Sequence, residues 1–144
     1  MAARLDAHEF NVVVDAAASR LVFTEWPTQV LLSGFDIGEK ILTGIRLINN
    51  EAIQNSPVKD AYEVALKKDK NEKGRNSWDQ TAVLVAVKRA EPYFTTRGIN
   101  FKIEDDGKSV VVPGSRFQYL VFKQTPDEIG TVIENLMMHQ PEKR

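Results

Sequence analysis

Apolar residues come along this chain in short bursts divided by polar turns, and their spacing changes character more than once. EFNVVV, residues 9–14, is apolar and β-branched, which predicts a buried strand. Asp15 then stands where the N-cap of an Ala-rich helix belongs, and that helix is expected to run to about Phe23. TEWPT ends it, because proline disfavours helix in the residue before it. QVLLSG reads as a second buried strand, ending at Gly34. Strand, helix, strand predicts parallel pairing with both faces of the sheet covered.

Past FDIGEK, the segment KILTGIRLINN carries apolar residues at helical spacing, and SPVKDAYEVALKK predicts a further helix with proline in its first turn. DKNEKGRN is polar or charged except for one glycine and predicts a solvated loop. Ser77-Trp78-Asp79-Gln80 has the form of a capping box, with the Ser77 hydroxyl on the Gln80 amide and the Gln80 side chain reaching back. Trp78 and Asp79 then fall in the first turn of a helix whose TAVLVAV is apolar on nearly every face, so the helix is expected to be buried in the middle of the fold. Beyond Pro92 the texture turns β: YFTT, INFKI, SVVV and RFQYLVFK, with EDDGK as a hairpin turn. TPDEIGTVIENLMMHQ closes as a helix with Thr125 as cap, Pro126 next and Glu128 completing a second capping box. The expected fold is α/β, a mainly parallel sheet flanked by helices with a C-terminal antiparallel hairpin, in one domain over residues 1–144.

Composition narrows the chemistry. The 144 residues are 42% hydrophobic and 27% charged, within the range of a soluble globular domain. Nineteen Lys and Arg against twenty Asp and Glu leave a formal charge of -1, which offers nucleic acid or an anionic membrane no electrostatic attraction. The absence of cysteine excludes disulfides, thiolate nucleophiles and cysteine-based metal sites, and two histidines, His8 and His139, are too few for a histidine-rich one. MAARLDAHEFN lacks the apolar core of a secretory signal, and no stretch approaches the roughly 18 apolar residues of a membrane helix. A cytoplasmic location is the expectation.

Three places carry candidate chemistry. Glu9 and Asn11, two apart at the start of a strand, project to one side, where a carboxylate and an amide can grip a diol; the simpler reading is a polar strand end in solvent. Asp79 in a helix's first turn reads as a charge favoured by the dipole, and Trp78 beside it is either packing or a plate on which a planar ring stacks. The third place runs from Trp26-Pro27 to Gly34-Phe35-Asp36, where helix capping is the better reading of Asp36. His139 reads as a cation near a helix C-terminus.

Taken together, EFNVVVDAAASRLVF, WPTQVLLSGFDIGEKILTG, SPVKDAY, SWDQTAVLVAVKRAEPYF and MMHQP, in this order, resemble the later half of the inosine-uridine-preferring nucleoside hydrolases, in a branch with Trp-Asp where others carry His-Asp. That family hydrolyses the N-ribosidic bond of nucleosides around one calcium ion on an α/β fold. The resemblance implies that Glu9 and Asn11 bind ribose hydroxyls, that Phe10 lines the sugar site, that Trp78 stacks on a purine and that Asp79 is a calcium ligand. It also implies that no catalytic set is complete: Trp78 stands where many members have the histidine proposed to protonate the leaving base. The family's motif Asp-x-Asp-x-Gly-x-Asp-Asp occurs nowhere in the chain, and calcium takes roughly 6 to 8 oxygen ligands. The expectation is therefore a truncated, nucleoside hydrolase-like protein that binds calcium weakly or not at all and is inactive alone. Its expected partners are a nucleoside, further copies of itself, or a chain supplying the Asp-rich half, since a sheet with an unpaired edge invites pairing. The alternative is a noncatalytic α/β module for interaction or oligomerisation.

Overall fold

Two carboxylates shape the first described turns. The computed structural model describes residues 7–140; the first six residues of MAARLDAHEFN and Pro141 of MMHQP lie outside that range. Glu9 caps a short helix, α1 (Phe10–Val14), by accepting from the Val12 amide at 3.2 Å. Asp15 ends α1 and caps α2 (Ala16–Glu25) by accepting from the Ala18 amide at 2.8 Å. EFNVVV is thus a capped helical turn and not the expected strand. β-Branched residues form a strand only where a neighbouring strand completes the ladder, and here the local caps satisfy the amides instead. No residue of α1 is buried. The Ala-rich helix is present and ends at Trp26, ahead of Pro27.

QVLLSG contributes β1 (Leu31–Leu32), which leads through Gly34 into α3 (Phe35–Gly38). KILTGIRLINN is not one helix: Gly44, at φ 110°, divides it into β2 (Leu42–Thr43) and α4 (Ile45–Ile48). The helix from SPVKDAYEVALKK is α5 (Pro57–Asp69), with the Ser56 hydroxyl accepting from the Lys59 amide at 3.3 Å. The polar loop after it ends in β3 (Arg75–Asn76), antiparallel to β2.

The helix α6 (Trp78–Lys88) is where expected, but two expectations about it fail. Ser77 makes no side-chain cap: its buried hydroxyl bonds Thr43 Oγ1 at 2.7 Å, while the Gln80 amide donates to Tyr62 Oη at 2.8 Å. A fully buried hydroxyl must be satisfied, and tertiary partners win it. Nor is α6 buried all round. Thr81, Leu84 and Val85 face α3, α7 and the core, whereas Val83 and Val87 are 61% and 71% exposed.

The C-terminal strands are β4 (Phe94–Ile99), β5 (Phe101–Ile103), β6 (Ser109–Val111) and β7 (Phe117–Phe122). β7 is the middle strand of a three-stranded sheet, antiparallel to β4 and parallel to β1. β5 and β6 pair across the Glu104–Gly107 turn. Among the described residues the sheet is small and mixed, with one parallel pair of strands, and the chain is a mixture of helices and strands. The core lies between this sheet and the helices α3, α6 and α7, around Ile41, Phe94, Leu120 and Ile129. Among the described residues no helix is long and apolar enough to cross a membrane.

The last helix, α7 (Pro126–Met137), carries the expected capping box: the Glu128 amide donates to Thr125 Oγ1 at 3.3 Å and the Thr125 amide donates to Glu128 Oε2 at 2.8 Å. The backbone bond from Thr125, and then its hydroxyl, hold the Glu128 carboxyl below its ordinary value. A carboxylate lowered in the folded state contributes stability that is fully present above the unfolded value of about 4.3, and that is lost as pH falls through the folded value. Urea unfolding should therefore show a constant stability difference between the protein and Glu128→Gln from neutrality to about pH 5, shrinking at lower pH. A difference that stays unchanged down to strongly acid pH would refute the assignment.

Candidate functional site

The predicted site residues come from two distant segments, and the fold brings them to one place. A cavity of about 480 Å³ is lined by Glu9, Phe10 and Asn11 on one side and by Trp78 and Asp79 on another. Glu9 and Asn11 do not project from a strand, as the spacing suggests, but from the first turn of α1. The Asn11 amide sits 3.5 Å from Glu9 Oε1, at the long limit of a hydrogen bond. Glu9 also caps α1 through its other oxygen. Phe10 is 76% exposed, so its ring is held by little besides the cavity rim.

Trp78 is placed by α3. Its indole Nε1 donates to the Phe35 carbonyl at 3.0 Å, and its ring lies against Phe35 with centroids 5.3 Å apart. This approach needs Gly38, where a Cβ would fall 2.5 Å from the Trp78 Cα. With the indole N–H committed, Trp78 offers a ligand its ring face and not a donor. Asp79, next to it, is exposed at the helix mouth.

Asp36 does not cap α3; Gly34 holds the N-cap position, and the Asp36 carboxylate instead accepts a hydrogen bond from Tyr119 Oη. Burial, and then that carboxylate, push the Tyr119 phenol well above its ordinary range, so it remains a donor at neutral pH. Tyr119 lines the cavity too, with Ser33, Gly34 and Phe35. Gly34 and Phe35 belong to the third candidate stretch, whereas Ser33 and Tyr119 are cavity residues that the sequence analysis does not single out. The one available signal is that Ser33 follows an apolar strand, and open α/β sheets place ligands at the carboxyl ends of their strands.

The other candidates lie elsewhere. The Trp26 indole donates to Thr28 Oγ1 at 3.0 Å and is not part of the cavity wall. His139 lies just past the end of α7, and His8 Nε2 is 3.0 Å from Asp106 Oδ2.

Among the described residues lining the cavity there are two carboxylates, Glu9 and Asp79, and no lysine or arginine. The set does not fit calcium, which takes roughly 6 to 8 oxygens: Glu9 already caps a helix, and no cluster of three or more acidic or histidine residues suited to a metal occurs among the described residues. The wall offers a carboxylate and an amide, Glu9 and Asn11, on one side and the aromatic surface of Phe35 and Trp78 on another. No protein-family model matches the chain, and no curated protein matches it.

Proposed function

We propose that this chain is nucleoside hydrolase-like and that its cavity binds an uncharged nucleoside. Glu9 and Asn11 take the ribose hydroxyls, Phe10 flanks the sugar and Trp78 stacks on the base. The observation that carries the reading is the convergence of these residues, with Asp79, on a single cavity. The resemblance stated for the sequence predicts such a convergence, and packing alone does not require it. The lack of any lysine or arginine on the described wall favours a nucleoside over its phosphate esters, since two carboxylates repel a phosphate.

Hydrolysis is a separate matter. An N-ribosidic bond breaks through a transition state of oxocarbenium character, which needs an activated water beside the anomeric carbon and help for the departing base. Trp78 can stack but cannot protonate the base, because an indole N–H is too weak an acid to give up its proton, and this one is bound to the Phe35 carbonyl. Asp79 is a single exposed carboxylate in place of a metal cage. The chain on this reading binds nucleoside and turns it over only with a partner chain that supplies the Asp-rich segment and, with it, calcium ligands.

The test is calorimetric titration with inosine, ribose and inosine monophosphate, followed by assay of ribose release with calcium. Inosine and ribose should bind, the monophosphate should bind at least about tenfold more weakly than inosine, and Asn11→Ala should weaken both inosine and ribose by about fivefold or more. Failure of inosine to bind would overturn the reading, as would tighter binding of the monophosphate. A second reading, a noncatalytic α/β interaction module, draws support from the exposed apolar residues Phe10, Val14 and Val87. That reading predicts self-association without any nucleoside dependence.

A further inference from the structure

A buried hydroxyl without a partner costs free energy unless something satisfies it. Ser33 presents one at the cavity: its Oγ is buried and finds no hydrogen-bond partner among the described residues. We infer that Ser33 is a ligand-binding residue that hydrogen-bonds the edge of the base, beside the Phe35 and Trp78 rings. The inference rests on the nucleoside reading above and adds a residue which that reading does not contain.

Three observations place Ser33 on the base side. It follows β1 directly, at the carboxyl end of a strand paired parallel with β7, where open α/β sheets receive ligands. Ser33, Gly34 and Phe35 are consecutive residues of the same cavity wall. Phe35 in turn lies against Trp78, whose ring is the stacking surface. Ser33 as a residue is only half-buried. A change of χ1 between staggered wells, an adjustment common when a ligand arrives, would turn its oxygen to the cavity. There the hydroxyl can donate to a ring nitrogen or exocyclic oxygen of a purine, or accept from a ring N–H. Neither the Trp78 nor the Tyr119 donor competes for that role, because each is already bound to Phe35 or Asp36.

The experiment uses the full chain, calorimetry with inosine and with ribose, and thermal unfolding of Ser33→Ala and Ser33→Thr. Ser33→Ala should bind inosine roughly tenfold more weakly while ribose binding stays unchanged, and Ser33→Thr, which keeps the hydroxyl, should recover most of the loss. Ser33→Ala should also melt no lower than the parent, because it deletes an unsatisfied buried oxygen. Weaker binding with undiminished stability is a combination that a packing role cannot produce. Inosine affinity within about twofold of the parent in Ser33→Ala would overturn the assignment, as would an equal loss for ribose. If the parent bound ribose and inosine equally well, the base-side site itself would fall; if it bound neither, the nucleoside reading would fall first.

Discussion

Gly34→Ala should destabilise the protein by about 3 kcal/mol and abolish inosine binding. A Cβ at this position falls 1.6 Å from Tyr119 Oη and 2.3 Å from Tyr119 Cζ. The obstacle is not the flexible tip of a surface side chain, because Tyr119 is 2% exposed and belongs to the core. Its ring must move, and with it go the bond to Asp36 and the wall that Tyr119, Phe35 and Trp78 build together. Overpacking of this kind costs about 1–3 kcal/mol and the lost, partly buried hydrogen bond about 1 more. Tyr119→Phe, which removes only the hydroxyl, should cost about 1 kcal/mol and leave a folded protein with weakened binding. The check is urea unfolding beside inosine titration. A Gly34→Ala protein within about 0.5 kcal/mol of the parent would mean that the wall is more pliable than its packing implies.

The second large effect lies away from the cavity. Glu134, on α7, is buried to 5% exposure, and its Oε1 accepts from the Gly44 amide at 2.7 Å and the Arg46 amide at 3.1 Å. Those amides belong to the first turn of α4, whose N-cap Gly44 has no side chain to satisfy them. The Arg46 guanidinium stands 3.6 Å from the other carboxylate oxygen. Glu134→Ala orphans two amide donors at once and should cost about 3 kcal/mol, a fall of about 10 °C in melting temperature for a chain of this size. Glu134→Gln keeps an acceptor oxygen and should cost less than half as much. Equal losses in the two variants would point to charge pairing with Arg46, and not to amide capture, as the stabilising element.

The parts of this architecture that can be read in the sequence are those with local causes. Ser56-Pro57 and Thr125-Pro126-Asp127-Glu128 start helices because the capping atoms and the amides they satisfy are three residues apart. The EDDG turn closes β5 on β6 for the same kind of reason. Where a long-range partner decides, the reading fails. Ser77 and Gln80 have the spacing of a capping box, yet Thr43 and Tyr62 take their polar atoms across the core. EFNVVV has the composition of a strand, but the carboxylates at its two ends make local caps and no neighbouring strand claims it. Asp36 looks like a cap because its partner, Tyr119, is 83 residues away. The candidate site shows the same division. Glu9, Phe10, Asn11, Trp78 and Asp79 can be singled out by residue type and neighbours, whereas Ser33 and Tyr119 belong to the wall only through the parallel pairing of β1 with β7.

The bond between the Trp78 indole and the Phe35 carbonyl also has an optical consequence. The chain has only two tryptophans, and the other, Trp26, is 52% exposed on a different part of the surface. Replacing Trp26 by phenylalanine leaves one emitter, half-shielded from solvent and tied by its own N–H to the wall of the cavity. Its emission then reports on that wall alone: a planar ring laid on the indole quenches it, and loss of the Phe35 contact shifts it to the red. The protein thus carries an intrinsic probe at the place where its ligand is expected.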